Sequence, residues 1–306
     1  MFTTTTRSIG SLAVLCLLAI FSQGCTVHPK EFATAEEAVG ALTSAARAQD
    51  TDQLVKILGS DGKAIISSGD ENADRIGRDK FLLLYDEKHS ITSDNEDSKT
   101  LVIGKSEWPF PIPLVRQNDK WIWDAEAGKE ELLNRRIGNN ELSAIQVCKA
   151  IGDAEHEYAL RDSNNDGIQE YAQKIPSDPG TRNGLFWPVK EGEQASPLGE
   201  MVEAASAEGY ARKKEGPTPY HGYYYRILLG QGPGAPGGAL DYVVKGKMLL
   251  GFAVLAYPAE YNNSGIMSFI MGTDGIVYQK DLGENTAKDA AAIKVFDPAD
   301  GWKKAE

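Results

Sequence analysis

The chain has 306 residues, a net charge of −12 and an ordinary share of aliphatic and aromatic side chains. That length is long for one compact core and comfortable for two. A polyanion of this size repels nucleic-acid backbones and anionic headgroups, so it excludes nucleic acid as a partner and a basic face as the means of holding a membrane.

Residues 1–8 are polar with one cation, Arg7, Ile9 to Phe21 is almost continuously apolar, and Ser22, Gln23 and Gly24 lead to Cys25. This layout predicts a secretory signal peptide over residues 1–24, because its apolar stretch falls short of the roughly 20 residues of a bilayer-spanning helix. The Gly24-Cys25 ending resembles the lipobox of bacterial lipoproteins, although Ser22 stands where that motif usually carries leucine. The resemblance implies that the Cys25 thiol is acylated, by chains such as palmitate, and becomes the new N-terminus. The alternative is ordinary cleavage that leaves Cys25 near a free end. Stable anchoring needs more than one chain, which lipoprotein maturation supplies. Residues 25–33 then read as a lipidated tether.

A first α+β unit is predicted over residues 34–138. Thr34 and Glu37 have capping-box spacing, and Ala38, Leu42 and Ala45 form an apolar stripe behind them. A second helix runs from Thr51 to Leu58 and stops at Gly59. A third covers Ala73 to Lys88, with Phe81, Leu84 and Tyr85 as its inner face. Asp94 to Asp97 is a solvated charged loop. Strands follow at Leu101–Lys105, Trp108–Arg116 and Lys120–Asp124, with a turn at Asn118-Asp119. Pro109, Pro111 and Pro113 alternate, which suits an edge strand. Helices followed by antiparallel strands mark an α+β unit, and the pattern resembles the nuclear-transport-factor-2-like cone.

A helical stretch from Glu130 to Arg136 is expected to break at Gly138-Asn139-Asn140, which sets the domain boundary. The second unit, residues 139–306, opens with a long helix from Asn140 to Leu160, whose inner side carries Leu142, Ile145, Cys148, Ile151, Ala154 and Tyr158. A Gly/Pro-rich stretch leads to a short helix capped by Ser196-Pro197 and ended by Gly209. Strands are predicted at Tyr220–Leu229 and Leu249–Tyr257. A hairpin of Ile266–Met271 and Ile276–Lys280 turns at Asp274-Gly275. The fold class is therefore α+β in two domains, the second a long helix packed on an antiparallel meander.

The strings RNGLFWP, SPLGE, PYHGYYYRILLGQGPGAPGGALDYVV, GFAVLAYPAEYNNSGIMSFIMGTDGIVYQKDLG and FDPADGW resemble the bacterial envelope family catalogued as domain of unknown function 2950. The resemblance spans nearly all of the chain after residue 24. It implies placement in the envelope and no particular chemistry. The order EYAL, DGIQEYA, GYYYRI, FAVLAYP, SGIMSFIMGTDGIVY is similar to the globular part of type II secretion pseudopilins, which have a helix, a variable loop and an antiparallel sheet. A pseudopilin helix continues into an apolar membrane-embedded half. Here the preceding residues are KEELLNRRIGNN, so a shared fold would serve a different use.

The strongest site signal is DSNNDGIQE. Asp162, Asn164 and Asp166 occupy loop positions 1, 3 and 5, with Gly167 at the sharp turn. Ile168 offers a carbonyl and Glu170 a direct or water-mediated contact, as in the first half of a calcium loop. Position 12 is Gln173, where the bidentate glutamate belongs. The alternative is a polar turn that ends the long helix. His156 opens HEYAL, but Leu160 stands where a zinc protease needs its second histidine. Cys148 lies in an apolar-periodic stretch, as an inert buried thiol would. GQGPGAPGGA lacks the Lys-Ser/Thr of a phosphate loop and reads as a mobile connection between strands. Tyr220, Tyr223, Tyr224 and Tyr225 with Trp187 offer a groove for glycan or peptide. Strand alternation places Tyr223 and Tyr225 on one face and Tyr224 on the other, so at least one set belongs to the core.

These features lead to the expectation of a non-catalytic, lipid-anchored module of the bacterial envelope, facing periplasm or exterior. It would bind another envelope protein or a glycan, with calcium as its sole candidate cofactor. The alternative is a hydrolase of cell-wall or secreted polymer that uses acidic residues.

Overall fold

A computed structural model describes residues 27–163, 166–190, 192–211, 216–299 and 301–305. The fold is α+β with antiparallel sheets. Helices α1 (Ala35–Arg47), α2 (Thr51–Leu58), α3 (Gly62–Ile66) and α4 (Glu71–Glu87) precede five strands. These are β1 (His89–Ser93), β2 (Ser98–Ile103), β3 (Trp108–Pro109), β4 (Leu114–Gln117) and β5 (Lys120–Trp123). The order is β1-β2-β4-β5, with β3 beside β2. The predicted strand over residues 108–116 divides in two. Pro111 and Pro113 withhold N–H groups from the ladder between β3 and β4. The Thr34 hydroxyl accepts from the Glu37 N–H at 3.1 Å, and the Glu37 carboxylate accepts from the Ala33 N–H at 3.1 Å, which fixes the start of α1. The Trp123 indole N–H donates to the Ala38 carbonyl at 3.2 Å and ties sheet to helix.

The expected tether is partly folded onto the body. The Ser60 N–H donates to the Val27 carbonyl, the Lys30 N–H to the Lys56 carbonyl, and Phe32 and Trp121 exchange backbone hydrogen bonds.

Helix α5 (Ala125–Arg161) runs unbroken for 37 residues, roughly 55 Å at the usual rise. The break expected at Gly138 is absent. A glycine costs a helix only about 1 kcal/mol, and packing on both sides of this one outweighs that. The buried apolar residues nevertheless form two clusters, one from Phe32 to Ala125 and one from Ala144 to Phe296, and α5 contributes to both. Two glycines set its approach. A Cβ at Gly128 would lie 2.7 Å from the Ile112 Cα and from the Pro111 carbonyl oxygen, whereas one at Gly152 would meet the Met271 Cε at 2.6 Å. Leu142, expected on the inner side, is 62 % exposed.

Beyond α5 come α6 (Gly199–Ala207), β6 (Tyr223–Leu228), β7 (Gly230–Gln231), β8 (Leu240–Asp241), β9 (Val243–Val244) and β10 (Lys247–Met248). The chain then completes β11 (Ala253–Pro258), β12 (Met267–Gly272), β13 (Val277–Asp281), α7 (Thr286–Ala292) and β14 (Lys303–Lys304). Helix α6 starts after Leu198, so Ser196 is not its cap. The main sheet has the order β14-β13-β12-β11-β6. Ala253 to Ala256 and Ser268 to Gly272 are all buried, so both faces of the sheet centre are covered. Both α5 and α7 pack against β11.

Candidate functional site

The two cores meet at the loop Ser67–Asp70, between α3 and α4. Asp70 is 1 % exposed. As N-cap of α4, its Oδ1 accepts from the N–H groups of Asn72 and Ala73, both at 3.1 Å. Its Oδ2 accepts from the Tyr210 hydroxyl at 3.1 Å and from the Gly222 N–H at 2.8 Å. One carboxylate thus serves four donors from both halves of the chain. The turn Tyr220–Tyr223 presents that N–H because His221 and Gly222 both adopt left-handed φ, at 49° and 76°.

Arg136, on α5, makes the second tie. Its guanidinium donates to the carbonyls of Ala64 and Ile65 in the last turn of α3, and to Asn263 Oδ1 at 2.6 Å. Asn263 in turn donates to the Ser67 carbonyl at 2.8 Å. Burial pulls Arg136 below its ordinary pKa, opposed by the charges of Asp74 and Glu260.

Beside this seam, under α4, lies a cleft of about 1210 Å³, larger than the usual small-molecule range of about 300–1,000 Å³. Its apolar lining comes from the first core, with Leu54, Leu58, Ile65, Phe81, Trp108, Phe110 and Leu132 among it. Its polar lining comes from Ser68, Ser106, α4, α5 and Glu208, Tyr210 and His221. Among the described residues, five cations (Arg75, Arg78, Lys80, Arg135 and Arg136) and two carboxylates (Asp74 and Glu208) line it, with His221. In a chain of net charge −12, this is a cationic enclave.

Most of those groups are committed. Arg75 pairs with Asp79 at 3.2 Å and donates to the Glu208 carbonyl. Arg135 pairs with Glu131 and stacks over Trp108, 5.2 Å from its centroid. Both Asp74 oxygens accept from the Ser68 N–H, at 3.1 and 3.0 Å, and burial raises the Asp74 pKa against those bonds. Arg78 is different. Its Nη1 reaches the Ile66 carbonyl at 3.5 Å, and its buried Nε has no hydrogen-bond partner. Glu208 Oε2 is likewise buried without one and lies 3.7 Å from His221 Nε2.

The residues singled out by sequence lie elsewhere. Cys25 and Asn164 fall outside the described residues. Asp162 Oδ1 accepts from the Asp166 N–H and its Oδ2 from the Gly167 N–H, while Asp166 Oδ1 accepts from the Ile168 N–H. The Lys247 ammonium sits on Asp166 Oδ2 and, at 3.1 Å, on Glu170 Oε1. A calcium ion would have to displace that ammonium. Among the described residues no group of three or more His, Cys, Asp or Glu side chains is arranged to hold a metal.

Cys148 is buried, and burial pushes its thiol up to about 12. His156 is exposed and sits edge-on to Phe252 and Tyr171. The expected aromatic groove loses two of its residues to the core. Tyr223 and Trp187 are core residues, the Tyr223 hydroxyl donates to the Met267 carbonyl at 2.8 Å, and Tyr224 packs on Tyr257. The glycine-rich connection is closed by its own bonds. Gln231 Nε2 donates to the carbonyls of Pro236 and Gly238, and the Tyr242 hydroxyl donates to Gln231 Oε1.

Sequence reasoning missed Asp70, Arg78 and Arg136. Ser68-Gly69-Asp70 ahead of a helix is a cap signal that could have marked Asp70. Nothing local marks Arg136, whose hydrogen-bond partners lie 71, 72 and 127 positions away, and Arg78 stands in a charged stretch that reads as solvated.

Among the described residues no helix is long and apolar enough to cross a membrane. No curated protein and no solved structure matches the chain, so the pseudopilin likeness gains no support. A family model does match, over residues 29–305, and the chain belongs to that family, described as protein of unknown function DUF2950.

Proposed function

We propose that this chain is an envelope lipoprotein, anchored through acylated Cys25, that works by binding another envelope component in the cleft under α4. The observation that carries the reading is the composition of that cleft. It is a large cavity with an apolar floor and polar groups converging at one side, the usual form of a binding site. Attachment fits the same geometry, since Cys25 stands two positions before Val27, whose carbonyl is bonded at the α2–α3 turn. An anchor there holds the α2 side of the cleft near the membrane surface.

Two experiments test this. Cys25→Ser should move the protein out of the membrane fraction, and retention there would end the lipoprotein reading. A photo-reactive phenylalanine analogue at Phe81, in the cleft, should cross-link an envelope component in cells. The same group at Leu83, 70 % exposed, should not. Equal labelling from both positions, or none from either, would count against the cleft.

The hydrolase reading keeps one observation in its favour, the Glu208–His221 pair on the cleft wall. It requires soluble fragments released from purified cell wall, with release abolished in Glu208→Gln.

A further inference from the structure

We propose that the ligand of this cleft is a single-chain anionic amphiphile, with its acyl chain on the floor under α4 and its anionic head on Arg78. This deepens the binding reading above and rests on it.

The floor is apolar and belongs to the first core, with the half-buried Ile65, Phe81, Phe110 and Leu132 along it and Leu54 and Leu58 buried behind them. A glycan would leave that surface unpaired, whereas a hydrocarbon chain covers it. The head is chosen by charge. A guanidinium carries five N–H donors. Arg78 places one at 3.5 Å from a carbonyl and has its Nε buried without a partner. The carboxylate one turn earlier, Asp74, accepts from the Ser68 N–H; its charge acts on Arg78 and Arg136, but it makes no hydrogen bond to Arg78. Arg78 is half-buried, and a buried Nε–H without an acceptor beside an apolar wall is costly; a carboxylate or phosphate arriving on an acyl chain meets the donor while the chain covers the wall.

Supply also fits. Helix α2 gives Leu54 and Leu58 to the layer behind the floor, and it ends at Gly59-Ser60, where residues 27–29 are held. An anchor at Cys25 would bring the cleft to a membrane, the source of such molecules. Helix α4, which roofs the cleft, has no fully buried residue among its 17.

The test uses the chain from residue 25 with Cys25→Ser, so that its own acyl chains cannot compete. Palmitate is titrated by calorimetry, beside hexadecanol, hexanoate and palmitoyl-lysophosphatidylglycerol. Palmitate or the lysolipid should saturate the protein one to one. Hexadecanol, which lacks the charge, should bind at least ten-fold more weakly, and hexanoate, which lacks the chain, should not bind measurably. Arg78→Gln should weaken palmitate at least ten-fold, Arg78→Lys should recover part of that, and Leu83→Gln should change nothing. If the lysolipid binds tighter than palmitate, the head is a phosphodiester, and the reverse assigns a free acid; either supports the class.

The proposal is overturned if neither ligand saturates, if hexadecanol binds as tightly as palmitate, or if folded Arg78→Gln binds like the parent. Melting temperatures of all variants establish that they are folded. Failure here with a surviving cross-link from Phe81 would reject the amphiphile and leave the cleft as a binding site. Failure of both would reject the binding reading itself.

Discussion

The two cores solve the same packing problem to different degrees. Around β11 and β12 the strands are buried on both faces. Under α4 the first core stays open, because a 17-residue helix covers it without burying a single residue fully. The α4 sequence explains this. Its first ten residues, ENADRIGRDK, are mostly charged or polar, and its apolar run FLLLY comes only at the end. Such a helix can close one end of a core but not the other. The cleft is thus the part of the first core that α4 leaves unfilled, and the charged half of α4 supplies its rim.

The largest effect is expected at the seam between the cores. Asp70→Ala removes the α4 cap and leaves the Tyr210 hydroxyl and the Gly222 N–H without their buried acceptor. A loss of about 3 kcal/mol is expected from the urea midpoint, with Asp70→Asn recovering part. A loss below about 1 kcal/mol would mean that packing alone joins the two regions.

The approach of α5 to each core can be compared directly. Gly128→Ala drives a methyl into backbone that cannot yield, and about 1–3 kcal/mol should be lost. Gly152→Ala meets only the mobile end of Met271, and less than about 1 kcal/mol is expected. Equal losses would show both contacts to be equally adaptable.

The closed core also holds a carboxyl. Glu155 is 0 % exposed, its Oε2 accepts from the Ala172 N–H at 2.8 Å, and burial raises its pKa well above 4.5. In the fold it keeps its proton at pH values where the unfolded chain has released it. Stability from this group is therefore complete below about pH 4.5 and declines as pH rises toward the folded value. Glu155→Gln should flatten the fall in melting temperature between acid and neutral pH. The raised Asp74, at the open core, acts in the same direction and should leave a residual slope. An unchanged slope would count against a protonated Glu155.

The smallest effect concerns the acidic loop. We propose that residues 162–170 take calcium only in competition with Lys247. Millimolar calcium should raise the melting temperature of Lys247→Met more than that of the parent chain. Equal responses would leave the loop as a turn held by an ion pair.

The fold was legible where a pattern is local. The Thr34 cap, the stop at Gly59 and the hairpin at Asp274-Gly275 all stand close to where spacing places them. Reading failed where tertiary contact overrides propensity. Gly138 does not end a helix that is gripped on both sides. Alternation along β6, by contrast, does send Tyr223 into the core. The cleft left almost no signature. Arg136 is separated from its partner Asn263 by 127 positions, and Asp70 from Gly222 by 152. No window along the chain contains both members of either pair.

The unbroken α5 sets an order of events at synthesis. Its first turns complete the N-terminal core as soon as they emerge, since Gly128 seats against Ile112 nearby in the chain. Its later turns must wait. The Glu141 carboxylate accepts from the N–H groups of Ile266 and Met267, which lie 125 and 126 positions away. Until those residues arrive, the stripe from Ala144 to Tyr158 stands as an uncovered apolar ridge on an already nucleated rod. A nascent chain in that state offers a surface for chaperones and for aggregation alike. Slowing the appearance of β12 should therefore harm yield more than slowing any strand of the first sheet.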